Sequence, residues 1–72
     1  MNIITKEEIM QQTGISKSVA SRIIREGKLE MVKRGYPFYA NKRLNFCPLV
    51  VVNEMLGLEL KGSEYNALKS VS

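Results

Sequence analysis

The sequence contains no histidine and no tryptophan, and it has a single cysteine in 72 residues. One cysteine excludes an internal disulfide, and without histidine a zinc site of the usual His/Cys type lacks its ligands. Cys47 precedes a proline and reads as a small buried residue rather than a nucleophile. No apolar run approaches the roughly 20 residues of a membrane span, and the N-terminus lacks the charged-then-apolar pattern of a secretion signal. A soluble, cytoplasmic protein with no membrane partner is therefore expected. A glycine-rich phosphate loop is also missing. A chain of this length makes one domain that buries only about 60% of its unfolded surface. The residues needed to wall a deep catalytic cleft are then the same ones needed for the core. Neither enzymatic activity nor a cofactor or metal is expected.

Acid is scarce where base is dense. Between Lys17 and Arg43 stand Lys17, Arg22, Arg25, Lys28, Lys33, Arg34, Lys42 and Arg43 against Glu26 and Glu30 alone, a net +6 within a chain of net +4. The flanks carry Lys6, Lys61 and Lys69 against Glu7, Glu8, Glu54, Glu59 and Glu64, a net −2. A basic centre between acidic ends points to a polyanionic partner, although solvated surface lysines give the same composition.

Thr5 and Glu8 have the spacing of a capping box, so a first helix is expected over about Lys6–Thr13, with Ile9 and Met10 inward and Ile4 packed against Ile9. The acids Glu7 and Glu8 suit the first turn of that helix. Gly14 fits a left-handed cap, and Ser16 fits the cap of a second helix. So short a turn forbids an antiparallel return, and the two helices must cross steeply. At ~100° per residue, Ala20, Ile23, Ile24 and Gly27 share one side of the second helix. Ser18, Ser21, Arg22 and Arg25 share the other. Beyond Gly27, Leu29 and Val32 fall on the polar side. Either the helix stops near Gly27 and Val32–Arg34 pairs with Phe38–Ala40 as a hairpin, or it continues to about Arg34; the hairpin is favoured. Pro48 suits the first turn of a third helix, with Leu49, Val50, Val52, Met55 and Leu56 as its apolar surface and Gly57 as its cap. Leu58 and Leu60 can pack back on the core. Residues 1–60 form the expected domain, and residues 61–72 read as a flexible tail. The fold class expected is mainly α, three helices with a small β-hairpin wing: a winged helix-turn-helix.

Two resemblances sharpen this reading. The run Ile9, Met10, Gln11, Gln12, Thr13, Gly14, Ile15, Ser16, then Ala20 and Ile23, resembles the bacterial helix-turn-helix of the repressor type. Met10 stands where that pattern prefers alanine. The longer stretch "SVASRIIREGKLEMVKRGYPFYANKRL", followed by "CPLVVVNEMLGLEL", resembles the small excisionase-like proteins of Gram-positive phages and integrative elements. "IREGKL" is similar to the passage from recognition helix to wing shared by excisionases and the MerR group. "RGYPFYANKRL" with a proline-started final helix resembles a family of short proteins from such elements. Pro37 departs from a regular wing, because it interrupts a hydrogen-bonded ladder.

The resemblance implies sequence-specific binding of duplex DNA beside an integrase attachment site, with an integrase as a second partner. Ser16, Lys17, Ser18, Ser21, Arg22 and Arg25 would face base edges in the major groove. Lys28, Lys33, Arg34, Lys42 and Arg43 would lie against phosphate on the wing or the loop after it, with Lys17 also placed to reach it. Tyr36 and Tyr39, like Phe38, either stack on bases or sugars or belong to the core. A homodimer or a cooperative array is expected, since one small domain grips little DNA. Nothing in the residues separates an excisionase, a recombination directionality factor of a mobile element, from a small phage-type transcriptional regulator. A protein-binding antirepressor or inhibitor that turns its basic face to an acidic protein is the reading from another class.

Overall fold

The computed structural model describes residues 2–64. The order is β1 (Asn2–Thr5), α1 (Lys6–Thr13), α2 (Lys17–Lys33), a single 3-10 turn (Pro37–Ala40), β2 (Phe46–Pro48), α3 (Leu49–Leu56) and β3 (Ser63–Glu64). The chain is thus mainly helical, with three α-helices and small antiparallel strand pairs, in keeping with a winged helix-turn-helix.

The capping box forms. The Thr5 hydroxyl accepts from the Glu8 amide, and the Glu8 carboxylate accepts from the Thr5 amide at 3.0 Å. Gly14 ends α1 at φ +75°, a region that costs other L-residues roughly 1–2 kcal/mol, and its amide donates to Met10 O at 2.9 Å. The Thr13 hydroxyl stiffens the corner by donating to Ile9 O and accepting from the Ile15 amide. Ser16 then caps α2. Only residues 14–16 separate the two helices.

The first correction concerns the favoured hairpin: α2 takes the other expected course and runs through to Lys33, with Arg34 as its cap. The hairpin expected over Val32–Ala40 does not form. Ala20, Ile23, Ile24, Gly27 and Met31 are all buried along one side, so the buried face continues past Gly27 through Met31. Leu29 does fall on the polar side, where it is 56% exposed. The second half of α2 has its own support, since Met31 packs with Tyr39 and Val51, and Val32, Leu44 and Phe46 adjoin them. Gly35 at φ +99° makes the stop. Its amide donates to Val32 O, and the Tyr36 amide to Met31 O, the paired bonds that close a helix on a left-handed residue. Pro37 opens the 3-10 turn, a first position where its missing N–H is harmless.

Strands come instead from the two ends. β1 lies between β2 and β3, antiparallel to both, with Ile4 opposite Cys47 and Ile3 opposite Ser63. Ile4 joins Ile9, Ala20, Ile23, Ile24, Cys47 and Val52 in the main core, where Met10, Ile15, Leu49, Leu56 and Leu60 pack partly buried. A second correction concerns α3, which buries Val51 and Val52 and leaves Val50 61% exposed. Two clusters flank this helix, so Val51 serves one and Val52 the other.

Residues 60–64, which lead into the expected tail, are clasped by side chains of α1 and α3. The Asn53 amide exchanges bonds with both backbone groups of Leu60, and the Gln12 amide does the same with Lys61. Ser63 donates to Glu8 at 2.7 Å. Side-chain amides here stand in for a strand's backbone, and residues 61–64 are held against α1 and β1. The rest of the expected tail, residues 65–72, lies outside the described residues. Gly62 is tightest: a Cβ there would meet the Ile3 carbonyl oxygen and carbon, with no room to shift. Gly62→Ala should unzip β3 and expose the amide of Ser63, whose residue pairs with Ile3. Hydrogen exchange checks this: faster exchange at Ser63, with the α2 amides still protected, is the expected pattern.

Candidate nucleic-acid interface

The three-residue corner leaves one face of α2 uncovered. Ser16, Lys17, Ser18, Arg22 and Arg25 are exposed, and Ser21 is half-buried. At helical spacing, Ser18, Arg22, Arg25 and Leu29 form one stripe. Ile23 and Ile24, on the opposite side, fix the helix's rotation by packing into the core. The Arg22 side chain is 74% exposed and sits 3.7 Å from Glu26, an i,i+4 pair. Such an exposed pair is worth about 0.3–0.5 kcal/mol, so Arg22 is readily drawn away by a phosphate or a guanine edge. Among the described residues Arg25 has no ion pair, which makes it the more available of the two arginines.

The residues assigned to a wing are dispersed. Lys33, Lys42 and Arg43 are exposed. Arg34 is held by two carboxylates, at 2.9 Å from Glu54 and 3.1 Å from Glu30. Glu54 first and Glu30 second hold its guanidinium above the ordinary arginine range. That side chain fastens the end of α2 to α3. Lys28 donates to Leu44 O at 2.7 Å and ties the loop after the 3-10 turn to α2. Tyr39 is only 5% exposed, in contact with Met31 and Val51, so it is a core residue and not a stacking platform. Burial also raises its phenol above the ordinary range. Tyr36 and Phe38 remain outside; the Phe38 ring meets that of Tyr39 edge-on at 5.2 Å.

Lys6 was missed by the reading of the sequence. It lies at the start of α1, in the acidic flank, yet it lines the same cleft as Arg25, Lys28 and Lys42. No local signal marks it, because only the crossing of α1 over α2 brings it there.

Cys47 is wholly buried and faces Gly27. Burial pushes its thiol from 9.0 up to about 12, with the charge of Lys28 pulling the other way. The folded state therefore holds this proton more tightly than the unfolded chain does. The associated stability is complete below about pH 9 and is lost as pH rises toward about 12. Tyr39 acts with the same sign. A thermal melt series should show stability falling above pH 9 in the parent and falling less in Cys47→Ala. A neutral thiol reagent should label Cys47 only on unfolding. Rapid labelling of the folded protein at pH 7 would contradict the burial.

No α-helix among the described residues is long and apolar enough to cross a membrane. No curated protein and no solved structure matches the chain. A family model described as a domain of unknown function, DUF3173, matches residues 2–60, from the first strand to the residue clasped by Asn53. On that match, which spans all three α-helices and the turn between the first two, the chain belongs to the DUF3173 family.

Proposed function

We propose that this protein binds duplex DNA by placing the outward face of α2 in the major groove. The observation that supports this most is the open stripe of Ser18, Arg22 and Arg25 on a helix whose other side is locked in the core. An α-helix fits the major groove, and side chains near its N-terminus reach base edges. Ser16, Lys17, Ser18 and Ser21 occupy that end. Arg22 or Arg25 supplies a bidentate guanine contact, worth roughly 1–3 kcal/mol of discrimination. Lys33, Lys42 and Arg43 add phosphate contacts that carry affinity without sequence.

The resemblance to excisionase-like proteins makes a recombination directionality factor of a mobile element the role favoured here, with duplex DNA and an integrase as partners. A phage-type regulator would use the same face. Fluorescence anisotropy on duplex DNA from the host element's ends tests the binding. Affinity should fall steeply with salt, and Lys42→Ala should flatten the log–log slope by about 1. A chain that shows no duplex affinity at 50 mM salt would refute the reading. A footprint inside an attachment site favours excision, and one over a promoter favours regulation.

A further inference from the structure

A cleft of about 560 Å³ runs beside the recognition stripe, between α2 and the segment 39–45. Its cations are Lys6, Arg25, Lys28 and Lys42, and among the described residues no carboxylate lines it. Its apolar lining is made by Ile24, Leu29, Tyr39 and Leu44. Leu29 stands 56% exposed in that lining, an apolar side chain left in water among positive charges.

We propose that this cleft is the docking site for an acidic amphipathic peptide segment of a protein partner. Charge complementarity selects the acid, and the apolar lining selects apolar side chains alternating with it. A phosphodiester strand matches only half of this lining, because hydrated phosphates gain nothing from Leu29 and Leu44. Apolar peptide side chains gain by covering them, and carboxylates pair with the cations around them. Ser21 and Arg25 belong both to the cleft and to the DNA face. Where the DNA-binding reading holds, the peptide and the duplex therefore compete, and a partner that offers such a segment would release the protein from its site.

The test uses the full chain and a short fluorescent helical peptide with leucines on one face and glutamates on the other. Saturable binding is expected, weakened about tenfold by Leu29→Gln and by Lys42→Gln. Leu29→Gln is an uncharged change at an exposed position; it should leave the melting temperature unchanged and, since it removes no phosphate contact, lower duplex affinity far less than peptide affinity. Absence of binding would overturn the proposal, as would equal binding of the peptide with every glutamate replaced by glutamine. Equal loss of duplex and peptide binding in Leu29→Gln would assign the cleft to the DNA backbone instead. Self-association of the parent that disappears in Leu29→Gln would assign it to a second copy. The peptide measurement contains no DNA, so it stands or falls separately from the proposed function.

Discussion

Gly27→Val is expected to cost about 3 kcal/mol, the upper range for overpacking a filled core. That is a large share of the stability available to a domain of this size. The reason is the approach of α2 to β2. A Cβ at position 27 would lie 2.8 Å from Cys47 Sγ and 3.6 Å from its Cβ, with Met55 Sδ at 3.8 Å. Cys47 sits in a strand paired with the central β1 and is wholly buried, so it has nowhere to retreat. Gly27→Ala poses the same conflict more mildly, because helix propensity returns about 1 kcal/mol. Cys47→Ala removes the opposing sulfur. In the double variant the alanine methyl then takes up the space vacated by that sulfur. The Gly27→Ala/Cys47→Ala pair should therefore be more stable than the sum of its single effects, by about 1 kcal/mol or more. Urea denaturation of the four proteins reads this directly. Additive effects would mean that α2 and β2 do not touch at this point.

Reversing the two arginines of the exposed stripe should have the largest effect on binding. Arg22→Glu with Arg25→Glu is expected to lower duplex affinity at least about a hundredfold at moderate salt, since two favourable charges become repulsive to phosphate. Neither side chain supports the core, so the melting temperature should barely move. Lys61→Glu makes the same kind of charge change in the segment after α3, and it should weaken binding only slightly. Separating the arginines is more informative still. Arg25→Ala should lose more than Arg22→Ala, because Arg22 must first leave Glu26. A base reader betrays itself by losing more on a selected site than on random duplex; equal losses on both would reduce it to a phosphate contact. If the double reversal leaves affinity within a factor of two, α2 is not the binding helix.

Much of the fold follows from short-range chemistry. The Thr5–Glu8 box, the Gly14 corner and the Ser16 cap depend on residues within four positions of one another, and they form as local geometry demands. The inward rows of α2 follow from a 3.6-residue period that one helix sets by itself. Leu29 was misleading because periodicity assigns an apolar residue to a core, whereas here it lines an open cleft. The hairpin failed for a related reason. "KRGYPFYA" carries turn signals that suit either a hairpin or a helix stop followed by a 3-10 turn, and only the pocket around Tyr39, built by Met31 and Val51, selects the second.

The sequence by itself determined the helix-turn-helix corner, the burial of Ala20, Ile23 and Ile24, and the outward row of serines and arginines. Each of these depends on hydrogen bonds or side-chain phase within one or two turns of chain. Tertiary structure alone decided that the N-terminal strand is central, that residues 61–64 close over it, that Arg34 is tied to α3, and that Lys6 joins Arg25, Lys28 and Lys42 around one cleft. Those outcomes join residues from about 20 to 60 positions apart. Such pairings form only when the whole chain has collapsed around one core, and no local preference along the sequence encodes them.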